Sequence, residues 1–367
     1  MTDTRPVRAG EEVDLVALNS FLVAHAPSVG TVDRVAQFPG GFSNLTYLLG
    51  GPRGEWVLRR PPRGVGEGTA HDMAREFRIL SVLANKGVAA PRPIVLCEDQ
   101  TVAGAPFYLM ERVVGTILRH ASPDGAPPPA AMHALCESFV DTFVAIHSIG
   151  PDDPAIASLG KAEGYVTRQV NGWSKRWAAS RTGDVPAMDA TAAWLAANQP
   201  AASGATLVHN DYKYDNLVLD PSDLSRIRAV LDWEMATLGD PLLDVGTTLG
   251  YWVEAGDHPV FRALALGATA LPGNFTREAL WARYLEKTGR GPADPLFYYV
   301  FGLFKIAVIA QQIYARFQKG LTSDERFGRL GEAVRLLAMT AVDATNRRSI
   351  SPPEALSPAR SARERPA

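Results

Sequence analysis

Residues 207–234, LVHNDYKYDNLVLDPSDLSRIRAVLDWE, constrain the fold of this chain more than any other stretch. Two short apolar runs, 216–219 and 227–231, flank a polar turn at 221–225. Apolar runs of that length, bounded by Pro, Ser and Asp, read as a β-hairpin. His209, Asp211 and Asn216 precede or open the first run, and Asp232 follows the second. Antiparallel pairing sets the start of the first run beside the end of the second. Asp211, Asn216 and Asp232 then meet at one end of a ribbon. A carboxylate, an amide and a second carboxylate suit a hard cation with oxygen ligands plus a general base. Turns favour Asp and Asn for local reasons too. Four polar residues bracketing two apolar strands go beyond what turn chemistry asks for.

The rest of the chain sets the frame for this ribbon. Its 367 residues suffice for two lobes with a core each. With 46% apolar and 21% charged residues the profile is that of a soluble globular protein. A formal net charge of -2 leaves no basic footprint for nucleic acid, so no nucleic-acid partner is expected. Cys97 and Cys136 stand in dissimilar contexts without a CxxC pair. This argues against a zinc site or a disulfide framework and for a reduced, cytoplasmic compartment. The opening MTDTRPVRAGEEVDLV has no apolar segment of the signal-peptide kind. The most apolar stretch, 297–310, is interrupted by Lys305 and reads as a buried helix too short to cross a bilayer, so no membrane association is expected. Residues 349–367, rich in Pro, Ser, Arg and Glu, are expected to be disordered.

Taken in order, residues 11–25 have helical apolar spacing. Strands are expected at 31–38, 45–49 and 55–60, the first two joined by Gly40-Gly41-Phe42-Ser43-Asn44. Backbone N–H groups at such a glycine tip can approach phosphate oxygens. The third strand ends in Arg59-Arg60, either of which can point inward. Asp72 is placed to cap a helix reaching to about residue 85 that contains Glu76. Two more strands, 91–96 and 106–113, complete a five-stranded antiparallel sheet with one helix. After a Pro/Ala-rich linker at 121–129 the chain turns helical, at 130–148, 164–179 and 188–197 before the ribbon and at 275–288, 295–318 and 324–345 after it. Asp240-Pro241 is a helix start, with Asp244 in the first turn. One of these two carboxylates is expected to brace the loop around Asp211 as well.

Together these motifs resemble the aminoglycoside phosphotransferase family of the protein-kinase-like fold. The likeness is greatest to the kinase domain of acyl-CoA dehydrogenase fusion proteins. It is carried by 209–216 (HNDYKYDN), 230–234 (VLDWE), 40–44 (GGFSN), 57–62 (VLRRPP), 75–77 (REF), 108–111 (YLME) and 313–316 (IYAR). The resemblance implies an α+β, two-lobed fold: an N-terminal helix at 1–30, a small antiparallel-sheet lobe at 31–114, and a larger, mainly helical lobe at 115–348. It implies a kinase that uses ATP and Mg²⁺ to phosphorylate a hydroxyl of a small molecule. Asp211 would accept the hydroxyl proton, and His209 would fix the loop. Asn216 and Asp232 would hold the metal. Gly40, Gly41 and Ser43 would cover the phosphates. Arg59 would stand in place of the kinase strand lysine, paired with Glu76, with the register against Arg60 left open. Backbone groups from Glu111 to Val113 would bind adenine. Two positions depart from the pattern: Asn210 stands where the family commonly has glycine, and arginine replaces lysine on the third strand. A hydroxyacyl-CoA-like acceptor, an aminoglycoside acceptor and a pseudokinase that only binds nucleotide or acyl-CoA are the competing readings. A serine hydrolase is excluded, because no G-x-S-x-G elbow is present.

Overall fold

The computed structural model describes residues 4–39, 44–62, 72–119, 125–263, 268–322 and 324–352. Gly40, Gly41 and Ser43 therefore lie outside the described residues, as does most of the segment expected to be disordered. Helix α1 (Leu15–His25) is capped by Asp14, which accepts from the amides of Val16 and Ala17. Strands β1 (Arg34–Gln37), β2 (Leu45–Gly51) and β3 (Gly54–Arg60) follow. Helix α2 (Met73–Lys86) begins on Asp72, whose carboxylate accepts from the Arg75 amide at 2.9 Å. Strand β4 (Pro93–Cys97), the one-turn helix α3 (Gln100–Ala103) and strand β5 (Phe107–Glu111) complete the lobe. The sheet runs β1-β2-β3-β5-β4 with every neighbouring pair antiparallel, as the strand pattern requires.

Both faces of this sheet are covered, and strand alternation sorts the residues between them. Trp56 and Leu58 of β3 and Phe107 and Leu109 of β5 pack with Leu18 and Leu22 of α1. Val57, Tyr108 and Met110 pack on the opposite face with Ile79, Leu80 and Leu83 of α2. Arg59 shares the parity of Val57, and Arg60 that of Leu58. Arg60 is fully buried on the α1 side, donating to the carbonyls of Ala103 and Glu11 at 2.7 Å. The register left open in the sequence is thereby settled: Arg59 faces the second lobe.

That lobe contains α4 (Pro129–His147), α5 (Pro154–Ala157), α6 (Tyr165–Ser180) and α7 (Pro186–Ala197), then four short strands. Strands β6 (Thr206–Val208) and β9 (Thr237–Gly239) form one antiparallel pair; β7 (Leu217–Leu219) and β8 (Ile227–Val230) form another. Helices α8 (Pro241–Tyr251), α9 (Pro259–Ala263), α10 (Arg277–Thr288), α11 (Leu296–Gln318) and α12 (Leu330–Arg347) follow. The stretch expected to be one helix at 324–345 divides into a 3-10 turn, Glu325–Arg329, and α12. The expectation that the 297–310 segment is too short to cross a bilayer is corrected. Helix α11 has 23 residues and passes on length and composition, yet 78% of its most apolar window is buried inside the protein. It is the central core helix, packed against α6, α7, α8 and α12.

The α8–α11 crossing is unusually close. A β-carbon on Gly302 would lie 2.1 Å from the Gly246 carbonyl oxygen, and one on Gly246 would lie 2.3 Å from the Tyr298 carbonyl oxygen. Both contacts are with backbone, so a methyl group forces the helices apart. Gly302→Ala is expected to cost about 1–3 kcal/mol of stability in urea unfolding. An unchanged midpoint would contradict this reading of the crossing.

Candidate active site

The ribbon forms as its sequence pattern requires. Leu217 pairs with Val230, and the Leu231 amide extends the ladder by donating to the Asn216 carbonyl at 2.8 Å. Leu219 exchanges backbone hydrogen bonds with Thr116, and the Val230 amide donates to Ala89 at 2.9 Å. The ribbon is thus tied to the segments leaving β5 and α2. The β6–β9 ladder closes the other side. One loop, 209–216, runs from β6 to β7; a second, 231–236, runs from β8 to β9.

The first loop is held by its backbone. Asp244, buried in the first turn of α8, accepts from the amides of His209 and Asn210, each at 2.7 Å. Of the two carboxylates named from sequence, Asp244 is the one that braces the loop. Asp240 instead caps α8 and accepts from Ser203. Asn210 has φ 67°, the left-handed conformation for which glycine is the usual solution. Its side-chain amide donates to the Met235 carbonyl at 3.1 Å, and Lys305 donates to its carbonyl at 2.8 Å. Asparagine thus meets the backbone demand of a glycine position and links the two loops besides. His209 accepts at Nδ1 from the Asp211 amide at 3.2 Å and meets the Leu231 carbonyl through Nε2 at 2.9 Å. This pattern needs the neutral ring with its proton on Nε2. Burial pulls the His209 pKa down and favours that form, although Asp244 and Asp211 oppose it.

Asp211 stands at the ribbon's end. Lys213 reaches both of its carboxylate oxygens at 2.8 Å. The Asn216 side-chain amide donates to the Asp211 carbonyl at 2.8 Å and to Oδ2 at 2.9 Å. The Tyr251 hydroxyl lies near the same carboxylate; burial and then that charge raise the phenol's pKa, and its ring centroid is 4.4 Å from the Lys213 ammonium. The Lys213 ammonium and the Asn216 amide thus converge on the Asp211 side chain.

Arg59 closes the arrangement from above. Its guanidinium reaches Glu76 at 3.2 Å, Asp232 at 2.9 Å and Glu234 at 2.6 Å. Glu76 also accepts from the Tyr108 hydroxyl at 2.8 Å, and Asn44 donates to Glu234 at 3.0 Å. Burial alone would lower the Arg59 pKa, but the surrounding carboxylates reverse this and push it well up. Burial pushes Glu76 up, with Arg59 and Tyr108 pulling it back. Burial works on Asp232 in the same direction, yet Arg59 prevails and holds it below the usual carboxylate range. Asp232 has φ 68°, so its backbone is also left-handed.

The structure thus brings together Asp211, His209, Asn216, Asp232, Arg59 and Glu76. Glu111 and Val113 lie at the end of β5. The Glu111 amide is taken by the Arg92 carbonyl at 2.9 Å, whereas Val113 makes no backbone hydrogen bond among the described residues. Asn44, Tyr108, Lys213 and Glu234 fall inside the motifs quoted from the sequence, but neither they nor Tyr251 were given a role there. Lys213 and Glu234 stand two residues beyond Asp211 and Asp232, so proximity was their available signal. Tyr251 reaches the site from the end of α8, which no local pattern announces.

Asn216 and Asp232 are the oxygen donors available to a divalent ion. With its amide nitrogen committed to Asp211, Asn216 presents Oδ1, and Asp232 Oδ2 takes no hydrogen bond among the described residues. No group of three His, Cys, Asp or Glu forms a metal site among the described residues. One carboxylate and one amide suit Mg²⁺, which is commonly held by one or two carboxylates together with substrate phosphates and water.

The family model of the phosphotransferase enzyme family, APH, matches residues 34–287. Mouse acyl-CoA dehydrogenase family member 10 is 35% identical over 343 residues, covering 92% of this chain and 32% of that protein. The chain spans between about a third and a half of the length of the first curated relatives it matches. A crystal structure from Ralstonia eutropha, described as a candidate aminoglycoside phosphotransferase, superposes with a TM-score of 0.79 at 31% identity. The match covers 92% of this chain and 99% of that one. An APH(2″) enzyme bound to GDP and kanamycin shares the fold, with a TM-score of 0.60 at 15% identity over 89% of this chain and 98% of its own.

Arg59→Met strands Glu76, Asp232 and Glu234 without their cation. The expected cost is about 3–5 kcal/mol in urea unfolding at neutral pH; a loss below about 1 kcal/mol would contradict the clustering. Asp244 supplies a second test. Burial raises its pKa, but the hydrogen bond from His147 and the nearby Lys305 ammonium outweigh this and hold it low. Its contribution to stability is therefore complete above the unfolded carboxylate value, about 3.9, and fades as pH falls through the lower folded value. Asp244→Asn should be less stable at pH 6 and show a flatter acid limb below about pH 4. Parallel wild-type and variant curves would contradict this.

Proposed function

The chain belongs to the APH phosphotransferase enzyme family, and from that premise we propose that it transfers the γ-phosphoryl group of ATP to a hydroxyl of an anionic small molecule. The observation that carries this reading is the Asp211 carboxylate, held by Lys213 and Asn216 at the ribbon's end, with the Arg59 guanidinium on Asp232. Asp211 accepts the proton of the acceptor hydroxyl as the oxygen bonds to phosphorus and the bond to the β–γ bridging oxygen breaks. Lys213 holds the Asp211 carboxylate in place and yields one of its oxygens to that hydroxyl. Arg59, anchored on Glu76, is aimed at the nucleotide phosphates. Asn216 and Asp232 would hold Mg²⁺, which neutralises phosphate charge when bound. Val113 offers backbone groups to adenine. Phosphoryl transfer asks for little more than such positioning and charge.

The character of the acceptor side favours an anion. Lys213 and Lys305 flank the Asp211 loop, and Arg176 stacks on Trp173 at 4.7 Å with Lys305 5.7 Å from the same ring. Burial pulls Lys305 down to about 8, so it remains mostly charged at neutral pH. Arg316 is exposed on α11, eleven residues from Lys305, which puts it on the same helical face about 16 Å away. Glu254 and Asp257, the acidic pair that a polycation site would have used, are committed to Arg277 at 3.3 and 2.7 Å. An aminoglycoside is therefore disfavoured. A hydroxyacyl-CoA-like acceptor, with its hydroxyl at Asp211 and its anionic end along α11, fits better. A pseudokinase would be expected to lack the base or a metal donor, and Asp211, Asn216 and Asp232 are all in place.

Mass-spectrometric screening of hydroxyacyl-CoAs and aminoglycosides with ATP and Mg²⁺ tests the assignment. A phosphorylated hydroxyacyl-CoA is expected, and Asp211→Ala should lower its formation by about 10²–10⁴-fold with nucleotide affinity retained. Wild-type turnover in that variant would overturn the role of Asp211. Phosphorylated kanamycin with no CoA product would overturn the acceptor class.

A further inference from the structure

Away from this cleft, a cavity of about 650 Å³ opens between α7, the starts of α8 and α11, and the end of α12. That volume is typical of small-molecule sites. One wall is aromatic: Trp194 and Phe297 lie 6.3 Å apart and nearly parallel, with Tyr298 and Leu242 beside them. The charges on the lining are Arg290, Arg348 and Asp294, a net of one positive charge. Neither arginine has a carboxylate partner among the described residues. Arg290 donates to the Ser203 carbonyl at 2.6 Å and lies beside the Tyr284 hydroxyl, where its charge is felt, and its Nε is buried without a partner. Arg348 is exposed and ends α12 at φ 55°, a conformation that glycine adopts without cost. Asp294 already accepts from the Leu296 amide at 2.9 Å, and it would repel a multiply charged anion.

The cavity is also wired to the catalytic loop. The Tyr284 hydroxyl meets His147 Nδ1 at 2.7 Å, and His147 Nε2 meets Asp244 Oδ2 at 3.1 Å. Asp244 in turn holds the amides of His209 and Asn210. His147, Tyr284 and Asp244 are all buried. His147 Nε2–H donates to the Asp244 carboxylate and His147 Nδ1 meets the Tyr284 hydroxyl, with the Arg290 guanidinium beside that phenol. A low-dielectric surrounding strengthens and couples such bonds.

We propose that this cavity binds a small amphipathic monoanion, a carboxylate on an aromatic or branched apolar body, through Arg290 and Arg348. The same ligand is read at residues 209–210 through Tyr284, His147 and Asp244. The apolar body lies against Trp194 and Phe297. An anion competing for the Arg290 guanidinium draws it from Tyr284 and loosens the chain that ends on the loop amides. The inference does not depend on which acceptor the phosphotransferase uses.

The test uses phenylacetate as the probe, with phenylacetamide and inorganic phosphate as controls, by isothermal titration on the full chain. Hydrogen exchange of the peptide covering 207–216 provides a second readout that needs no turnover. Phenylacetate should bind with a Kd on the order of a millimolar or tighter. The two controls and Arg348→Gln should each weaken binding by about ten-fold. Bound phenylacetate should speed exchange of the His209 and Asn210 amides in the wild type and leave it unchanged in Tyr284→Phe, which keeps the cavity but cuts the chain. Equal binding of the amide or of phosphate, or unweakened binding by Arg348→Gln, would overturn the site. Saturable binding that leaves wild-type exchange unchanged would overturn the coupling.

Discussion

A single guanidinium joins the parts of this molecule that must meet. Arg59 leaves the sheet on β3, takes Glu76 from α2, and reaches Asp232 and Glu234 in the loop after the ribbon. Three carboxylates gathered in a largely buried space would repel one another and the phosphates of a nucleotide. With Arg59 among them they become a positioned cluster that spans both lobes. The geometry also accounts for arginine where related kinases keep lysine. A planar, forked cation can face several carboxylates at once, whereas an ammonium is a compact point charge. The arrangement depends on strand parity: one residue earlier or later on β3, the same side chain would lie under α1, as Arg60 does.

The loop carrying Asp211 is held by a different principle. Its position is set by two backbone amides on one buried carboxylate, and that carboxylate by the packing of α8 on α11 through Gly246 and Gly302. Asn210 accepts a left-handed backbone and answers with side-chain hydrogen bonds to the neighbouring loop. The position of Asp211 is therefore set partly by buried residues away from the ribbon's end. A change in the core helices is transmitted to Asp211 through Asp244 rather than through the ribbon.

Much of this was legible in the sequence, for identifiable reasons. The hairpin was readable because its two apolar runs are short, bounded and flanked by polar residues of distinct chemistry. The helix starts at Asp72 and Asp240 were readable because an N-cap carboxylate is a local signal. Strand parity at Arg59 was not readable, because Trp56, Val57 and Leu58 are all apolar and the sheet is covered on both faces. Strands β6 and β9, three residues each, are too short to show a period. The contributions of Tyr108, Tyr251 and His147 arise from tertiary packing between distant segments, which spacing along the chain does not encode. The apolar run 297–310 identified a core helix, and the helix expected at 295–318 forms at Leu296–Gln318.

The central claim is that Arg59 and the ribbon form two sides of one nucleotide site. A crystal structure of the chain with Mg²⁺ and a non-hydrolysable ATP analogue tests it most directly. The account predicts the metal on Asn216 Oδ1 and Asp232, with Arg59 still anchored on Glu76 and facing the phosphates. Phosphates bound away from Arg59, or a metal held by Glu76 and Glu234 with Asn216 outside its coordination, would contradict it.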